Sequence, residues 1–253
     1  MRDVLEALAD GELSVQAAEA ALSGYATGEA GRFDAARETR RGVPEAILAD
    51  GKTPTETADL AATAVETAGR AIVTRLTDPD PVVERLTADH PDASVGYDDR
   101  ATVLVAHAAD FEPPDLDATV GLVSAGTSDA HPLGEAAAIA AEMGASVLRV
   151  EDVGVAGITR LVDRLPELRA TDVLVVAAGR EGALPTVVAG LVDVPVIGLP
   201  VSTGYGYGGE GEAALSGMLQ SCTVLSVVNV DAGFVAGAQA ALVARQVAAA
   251  RTA

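Results

Sequence analysis

Tryptophan is absent from this chain of 253 residues, which has only three Phe and four Tyr. Its core must therefore be built from Ala, Val, Leu and Ile. Lysine is almost missing as well: of 17 basic residues, 16 are Arg and Lys52 is the single Lys. Cysteine occurs once, at Cys222, which excludes an intrachain disulfide and a Cys-rich zinc site. No apolar run approaches the ~18 residues that span a bilayer. The opening Met1-Arg2-Asp3-Val4-Leu5-Glu6 lacks the basic and then apolar order of a secretory signal. A soluble, cytoplasmic protein is expected.

Positive charge is also scarce. The 17 basic residues face 37 acidic ones, a formal net charge of −20. That balance argues against a nucleic-acid binder, which needs a basic face. It argues equally against docking on anionic membranes. An acidic, Lys-poor surface is expected of a protein working in concentrated salt, where screening weakens self-repulsion. A GC-rich genome would favour Arg and Ala in the same way, but would not by itself produce the acid excess. Hydrophobic residues make up 49% of the chain and the mean hydropathy is +0.28. A substantial core is thus available and global disorder is excluded.

The pattern along the chain divides in two. Apolar residues at helical spacing over residues 1–30 predict two short helices broken at Gly11. Residues 31–57 are polar and irregular, punctuated by Gly31, Gly42, Pro44, Gly51 and Pro54. Thr53-Pro54-Thr55-Glu56 reads as an N-cap with Pro at the first helical position, opening a helix to about Ala68. Strands are expected over 71–76 and 101–107, with a helix over 81–86 between them. Pro113-Pro114 lies in an acidic stretch and reads as a linker. The expected domains are 1–115, a small α/β domain with a helical start, and 116–253.

The second domain alternates regularly. Strands are predicted over 119–124, 146–150, 172–177, 194–199 and 224–230. Helices follow over about 134–143, 157–165, 183–191, 212–220 and 233–249. Strands of near-continuous Val, Leu and Ile alternating with helices mean a parallel sheet covered on both faces. Five such units make a flavodoxin-like, doubly wound domain, whose ligand sits at the carboxyl ends of the strands.

Four of those strands end in loops of small and polar residues. They are Ser124-Ala125-Gly126-Thr127-Ser128-Asp129, Glu151 to Gly157, Ala178 to Pro185, and Pro200 to Gly209. Such loops cradle phosphate with backbone N–H groups and hydroxyls, so their convergence predicts an anionic nucleotide site. Gly206, Gly208 and Gly211 also satisfy G-x-G-x-x-G, with Asp231 near the end of the next strand. The first Gly does not follow the strand directly, however, and this unit is the last in the chain. Both facts count against a redox dinucleotide fold. Cys222 taken alone reads as a small buried apolar residue rather than a reactive thiol.

The second domain resembles the PurE (aminoimidazole ribonucleotide carboxylase/mutase) superfamily through Gly126-Thr127-Ser128-Asp129. Nearly the whole chain resembles the LarB family of pyridinium-3,5-biscarboxylic acid mononucleotide synthases of nickel-pincer cofactor biosynthesis. The residues that carry this are Ala125 to Asp129, Asp152-Val153-Gly154-Val155-Ala156-Gly157, Glu181 to Pro185, Gly204-Tyr205-Gly206, Ser221-Cys222 and Val227-Val228-Asn229-Val230-Asp231. Asp34, Arg41-Gly42, Pro44-Glu45 and Gly51-Lys52-Thr53 carry it in the first domain.

The resemblance implies a substrate, nicotinic acid adenine dinucleotide, that gains CO2 at ring carbon 5 and is hydrolysed at the anhydride to release AMP. It implies Cys222 as a nucleophile that adds to the pyridinium ring, with Asp129 and Glu181 catalytic. It implies binding through Gly126, Thr127, Ser128, Asp152, Gly154, Gly157, Gly179, Gly182, Ser202, Gly204, Tyr205, Gly206, Asn229 and Asp231. Lys52 would contribute an anhydride or carboxylate contact from the first domain. No tightly bound cofactor is implied; Mg2+ is a candidate for neutralising the anhydride. A homo-oligomer is expected.

Several positions depart from the family pattern. Thr159 stands where a His is common, Ala232 where an Asn is, and Arg180 where an apolar residue precedes Glu181. One residue is missing after Cys222, and His131 occupies an apparent loop insertion. Two other classes stay open: a PurE-type carboxylase/mutase on an imidazole ribonucleotide, and a non-catalytic nucleotide-binding module.

Overall fold

The computed structural model describes residues 1–28 and 30–252. The chain divides into two compact units, Met1–Glu112 and the remainder from Pro113 onward. The division falls before the 115/116 boundary expected from composition. The Leu116 amide donates to the Gly144 carbonyl at 2.8 Å, and the Pro114 carbonyl packs against Gly144. The proline pair thereby belongs to the second unit.

The first unit begins with helices α1 (Arg2–Ala9) and α2 (Val15–Ser23) on either side of Gly11. Strand β1 (Ala26–Gly28) follows within the segment expected to be helical and pairs antiparallel with β2 (Gly31–Phe33); the stretch 31–57, expected to be irregular, holds β2, α3 (Arg37–Arg41) and β3 (Ile47–Leu48). These elements are two to five residues long, too short to show a period in the sequence. Helix α4 (Pro54–Ala68) starts on a full capping box: the Thr53 hydroxyl accepts the Glu56 amide, and the Glu56 carboxylate accepts the Thr53 amide. Such a cap is worth about 1 kcal/mol. Strand β4 (Arg70–Thr74), helix α5 (Asp80–Asp89), β5 (Ser94–Asp98) and β6 (Val103–His107) complete a sheet of order β3-β4-β6-β5. Strand β5 escaped the sequence reading because its residues are mostly exposed and carry Gly96 and Asp98.

The second unit runs β7 (Thr119–Ser124), α6 (Ala130–Glu142), β8 (Ser146–Val150), α7 (Ile158–Arg169), β9 (Val173–Ala178), α8 (Ala183–Ala189), β10 (Val196–Pro200), α9 (Glu212–Leu219), β11 (Ser226–Val227) and α10 (Gly233–Arg251). The sheet order is β11-β10-β9-β7-β8, with every pairing parallel. This is the flavodoxin-like order, with helices on both faces. Helices α6 and α10 pack together on one face. Apolar residues of α7, α8 and α9, among them Leu161, Leu184 and Met218, fill the other with Leu174 and Val176 of β9. Each fully buried Leu contributes roughly 1.5–3 kcal/mol, so this aliphatic sandwich holds the unit without aromatic filler.

Strand β11 is much shorter than the predicted 224–230. Val224 is exposed, and the Asn229 side chain accepts the Val230 amide at 2.9 Å, which removes that group from the ladder. His131, expected in a loop, lies in the first turn of α6. Among the described residues no helix is long and apolar enough to cross a membrane.

Candidate active site

In a parallel sheet all carboxyl ends share one edge, so the loops after β7, β8, β9 and β10 meet there. Two glycines let them touch. A side-chain carbon on Gly154 would come within 2.7 Å of the Ala125 carbonyl oxygen, which joins the first loop to the second. A carbon on Gly204 would fall on the Gly179 carbonyl oxygen, which joins the third loop to the fourth. Only Gly admits such approach.

The four loops enclose a concavity of about 390 Å³. The first contributes Gly126, Ser128 and Asp129, and the second Gly154. The third contributes Gly179, Arg180, Glu181 and Gly182, and the fourth Gly204 and Tyr205. Asp129 lies in a tight 3-10 turn, Thr127–Asp129, and is 2% exposed. Burial pushes its carboxyl pKa up. The amides of Gly126 and Ala125 act in the opposite direction without cancelling it; the Gly126 amide donates to Oδ2 at 2.9 Å. The result is a carboxylate of raised basicity at the floor of a nucleotide-sized cavity. Glu181, by contrast, is exposed on the rim.

Other expected binding residues stand around this concavity rather than in its lining. Ser124, buried behind the first loop, accepts the Asp152 amide on Oγ at 3.3 Å. Asp152 adopts a φ of 58°, and its carboxylate pairs with Arg160 at 2.5 Å. Arg160 in turn lies against Gly157. Asp231, at φ 54°, accepts the Ser202 amide on Oδ1 at 2.9 Å. Its own amide donates to the Pro200 carbonyl at 2.9 Å. Asp231 thus fixes the start of the fourth loop. Thr127 shares the tight turn of Asp129, Gly206 follows Tyr205 in the fourth loop, and Asn229 is exposed two residues before Asp231. Neither the Arg160–Asp152 pair nor a second contact is legible from residue spacing: the Arg180 guanidinium sits 3.9 Å over the Tyr205 ring.

One expected participant lies at the other edge of the sheet. Cys222 is exposed and lines a separate depression of about 840 Å³ with Asp193, Pro195, Ile197 and Val224. These residues surround the amino end of β10, and Ser226 of β11 pairs with Ile197 there. The reason is topological: α9 leaves the loop edge and carries the chain back across the sheet. At about 3.3 Å per residue, the five residues of β10 separate the thiol from the loop edge. Within one chain, therefore, Cys222 does not join Asp129 and Glu181. Lys52 lies in the first unit, where its ammonium donates to the Leu48 carbonyl at 2.6 Å; that bond ties the turn before α4.

A second-unit cavity with two carboxylates and a guanidinium can hold an anionic ligand and accept a proton from it. Mg2+ commonly binds through one or two carboxylates plus substrate phosphates, and exposed Glu181 on the rim offers one such carboxylate. Among the described residues no group of three or more His, Cys, Asp and Glu is placed to hold a metal without such help.

Comparison with known proteins agrees with this architecture. The AIR carboxylase family model matches residues 119–253, and the LarB/PurE-like N-terminal domain model matches residues 25–108. An uncharacterized protein of Methanocaldococcus jannaschii is 35% identical over 252 residues, covering 97% of each chain. With both domains matched in order and a relative aligned along almost the full length, the chain belongs to the LarB family, the PurE-like carboxylases that carry an added N-terminal domain.

Proposed function

We propose that this protein carboxylates ring carbon 5 of nicotinic acid adenine dinucleotide and hydrolyses its anhydride. The products are pyridinium-3,5-biscarboxylic acid mononucleotide and AMP. The observation that carries this reading is the single concavity where four phosphate-type loops surround buried Asp129, in a chain of this family.

Carbon 5 of a pyridinium is electron-poor and does not attack CO2. A thiolate adding to a neighbouring ring carbon forms an S–C bond and sends an electron pair into the ring. The neutral ring is then enamine-like at carbon 5, which forms the new C–C bond to CO2. Removal of the carbon 5 proton restores the aromatic ring and expels the thiolate with the S–C electron pair. This is covalent catalysis, in which one difficult step is split into two easier ones.

Asp129 is the proton acceptor in this scheme, because burial raises its proton affinity. Glu181, on the rim, would hold a Mg2+ riding on the substrate phosphates, which would neutralise charge during anhydride hydrolysis. Cys222 stands at the opposite edge of the sheet, so the thiol reaches the ring from a second copy of the chain. The reaction thereby requires a homo-oligomer.

Mass spectrometry after incubation with nicotinic acid adenine dinucleotide and bicarbonate tests the reading. AMP and the dicarboxylated mononucleotide are the expected products. Unchanged dinucleotide, with carboxylation of an imidazole ribonucleotide instead, would move the protein to the PurE-type activity.

A further inference from the structure

Two of the chain's seven aromatic residues stand on one glycine-rich loop, and both are exposed. Tyr205 is 78% exposed and Tyr207 fully so, in a protein with no Trp, four Tyr and three Phe. Nothing in the packing of the second unit calls for either ring.

Tyr205 is nevertheless held firmly. The Arg180 guanidinium covers one face of its ring at 3.9 Å. The same guanidinium donates through Nη1 to the Tyr205 carbonyl at 3.2 Å. The close approach of Gly204 to Gly179 fixes the two loops side by side. Arg180 is also the one basic side chain among the described residues that line the concavity of Asp129 and Glu181. Only one of its five N–H donors is given to Tyr205 in this contact, so an anion in the cavity can take others. The second face of Tyr205 stays open.

An open aromatic face beside a guanidinium reads a ring joined to a phosphate, which is a nucleotide. The cation behind Tyr205 also selects which ring. A pyridinium placed on the open face would put a second positive charge one ring thickness from Arg180; a neutral purine carries no such penalty. Size points the same way. The concavity of about 390 Å³ is near the lower end of small-ligand sites, ~300–1,000 Å³, so it holds one half of a dinucleotide and leaves the other on the rim.

We infer that Arg180 and Tyr205 form an adenylate clamp. The adenine stacks on the open face of Tyr205, and the phosphate next to it binds Arg180. The clamp thereby positions the anhydride and leaves the pyridinium half for the cavity floor at Asp129. This rests on the dinucleotide reading above, but its test does not depend on carboxylation.

Isothermal titration calorimetry reads the affinities without depending on the Tyr205 ring that the variants remove. Wild-type protein, Tyr205→Phe, Tyr205→Ala and Arg180→Ala would be titrated with AMP, adenosine and nicotinic acid mononucleotide, with folding checked by circular dichroism. AMP affinity should fall by about tenfold or more in Tyr205→Ala, within the range of base–aromatic stacking, and survive in Tyr205→Phe. Arg180→Ala should weaken AMP much more than adenosine. Nicotinic acid mononucleotide should respond little to Tyr205→Ala. If instead the mononucleotide loses affinity and AMP does not, or if folded wild-type protein fails to bind AMP, the clamp assignment is overturned. AMP binding with the expected pattern, but without any carboxylated product, would overturn the proposed reaction and leave the clamp standing.

Discussion

Cys222 and Asp129 occupy opposite edges of one parallel sheet: the thiol at the amino end of β10, the carboxylate in the loop beyond the carboxyl end of β7. A mechanism that uses both therefore calls for two chains. Cys222→Ala should abolish carboxylation while nucleotide binding persists, and Asp129→Asn should be similarly inactive. Differently tagged chains, one of each variant, can be co-expressed and purified through both tags. Such hybrids contain a site with both native groups and should recover a substantial fraction of wild-type turnover. Inactive hybrids of verified composition would count against a thiol donated by a second copy, and a fully active Cys222→Ala would remove the covalent step.

Asp129 should set the acid side of the pH–rate profile. The proton acceptor must be ionised, and burial raises its pKa, so carboxylation should rise with pH through a midpoint higher than that of an ordinary exposed Asp and then level off. The stability effect has the opposite sense. Because the folded-state pKa exceeds the unfolded one, this group favours folding below the ordinary Asp value and loses that contribution as pH rises through the folded pKa. Asp129→Asn should thus lose activity at every pH without losing thermal stability at neutral pH. A sharply lower Tm at neutral pH would show that the carboxylate is a structural support.

Gly204→Ala tests whether loop contact makes the site. The added carbon would collide with the Gly179 carbonyl oxygen, which is backbone and cannot swing aside. The third and fourth loops should separate, and AMP and dinucleotide affinity should both drop by about an order of magnitude or more, a cost of at least ~1.4 kcal/mol. The sheet core is untouched by this change, so far-ultraviolet circular dichroism should keep its shape. Wild-type affinity in the variant would mean that the loops act separately.

Salt should govern the folded state. At a net charge of −20, acidic groups repel across the molecule when the Debye length is ~30 Å, at about 0.01 M salt; near 1 M it falls to ~3 Å. Salting-out ions also strengthen apolar burial, which matters for a core of Ala, Val and Leu. Circular dichroism and size-exclusion chromatography across a KCl series should reveal unfolding or dissociation at low salt, opposed by substrate, which binds the native form. Identical behaviour at both extremes would leave genome composition as the source of the Lys-poor, acidic surface.

The parallel sheet was legible because three of its four longer strands, β7, β9 and β10, are largely aliphatic runs buried on both faces, such as Val173–Ala178 between its flanking helices. Parallel βα units place their turns on a common edge, so the meeting of the Gly126, Gly154, Gly179 and Gly204 loops followed from chain order alone. The capped start of α4 was equally local, since Thr53 and Glu56 are three residues apart. What the sequence could not reveal depends on elements that meet only after folding. The β1–β2 pair and β5 lack buried faces long enough to show a period. Arg180 finds Tyr205 because β9 and β10 are neighbours in the sheet, which brings together residues 25 positions apart. The burial that raises the Asp129 pKa belongs to the folded loop cluster. The position of Cys222 was decided by α9, which crosses the sheet and delivers the thiol to the far edge; motif order along the chain says nothing about which edge a residue reaches.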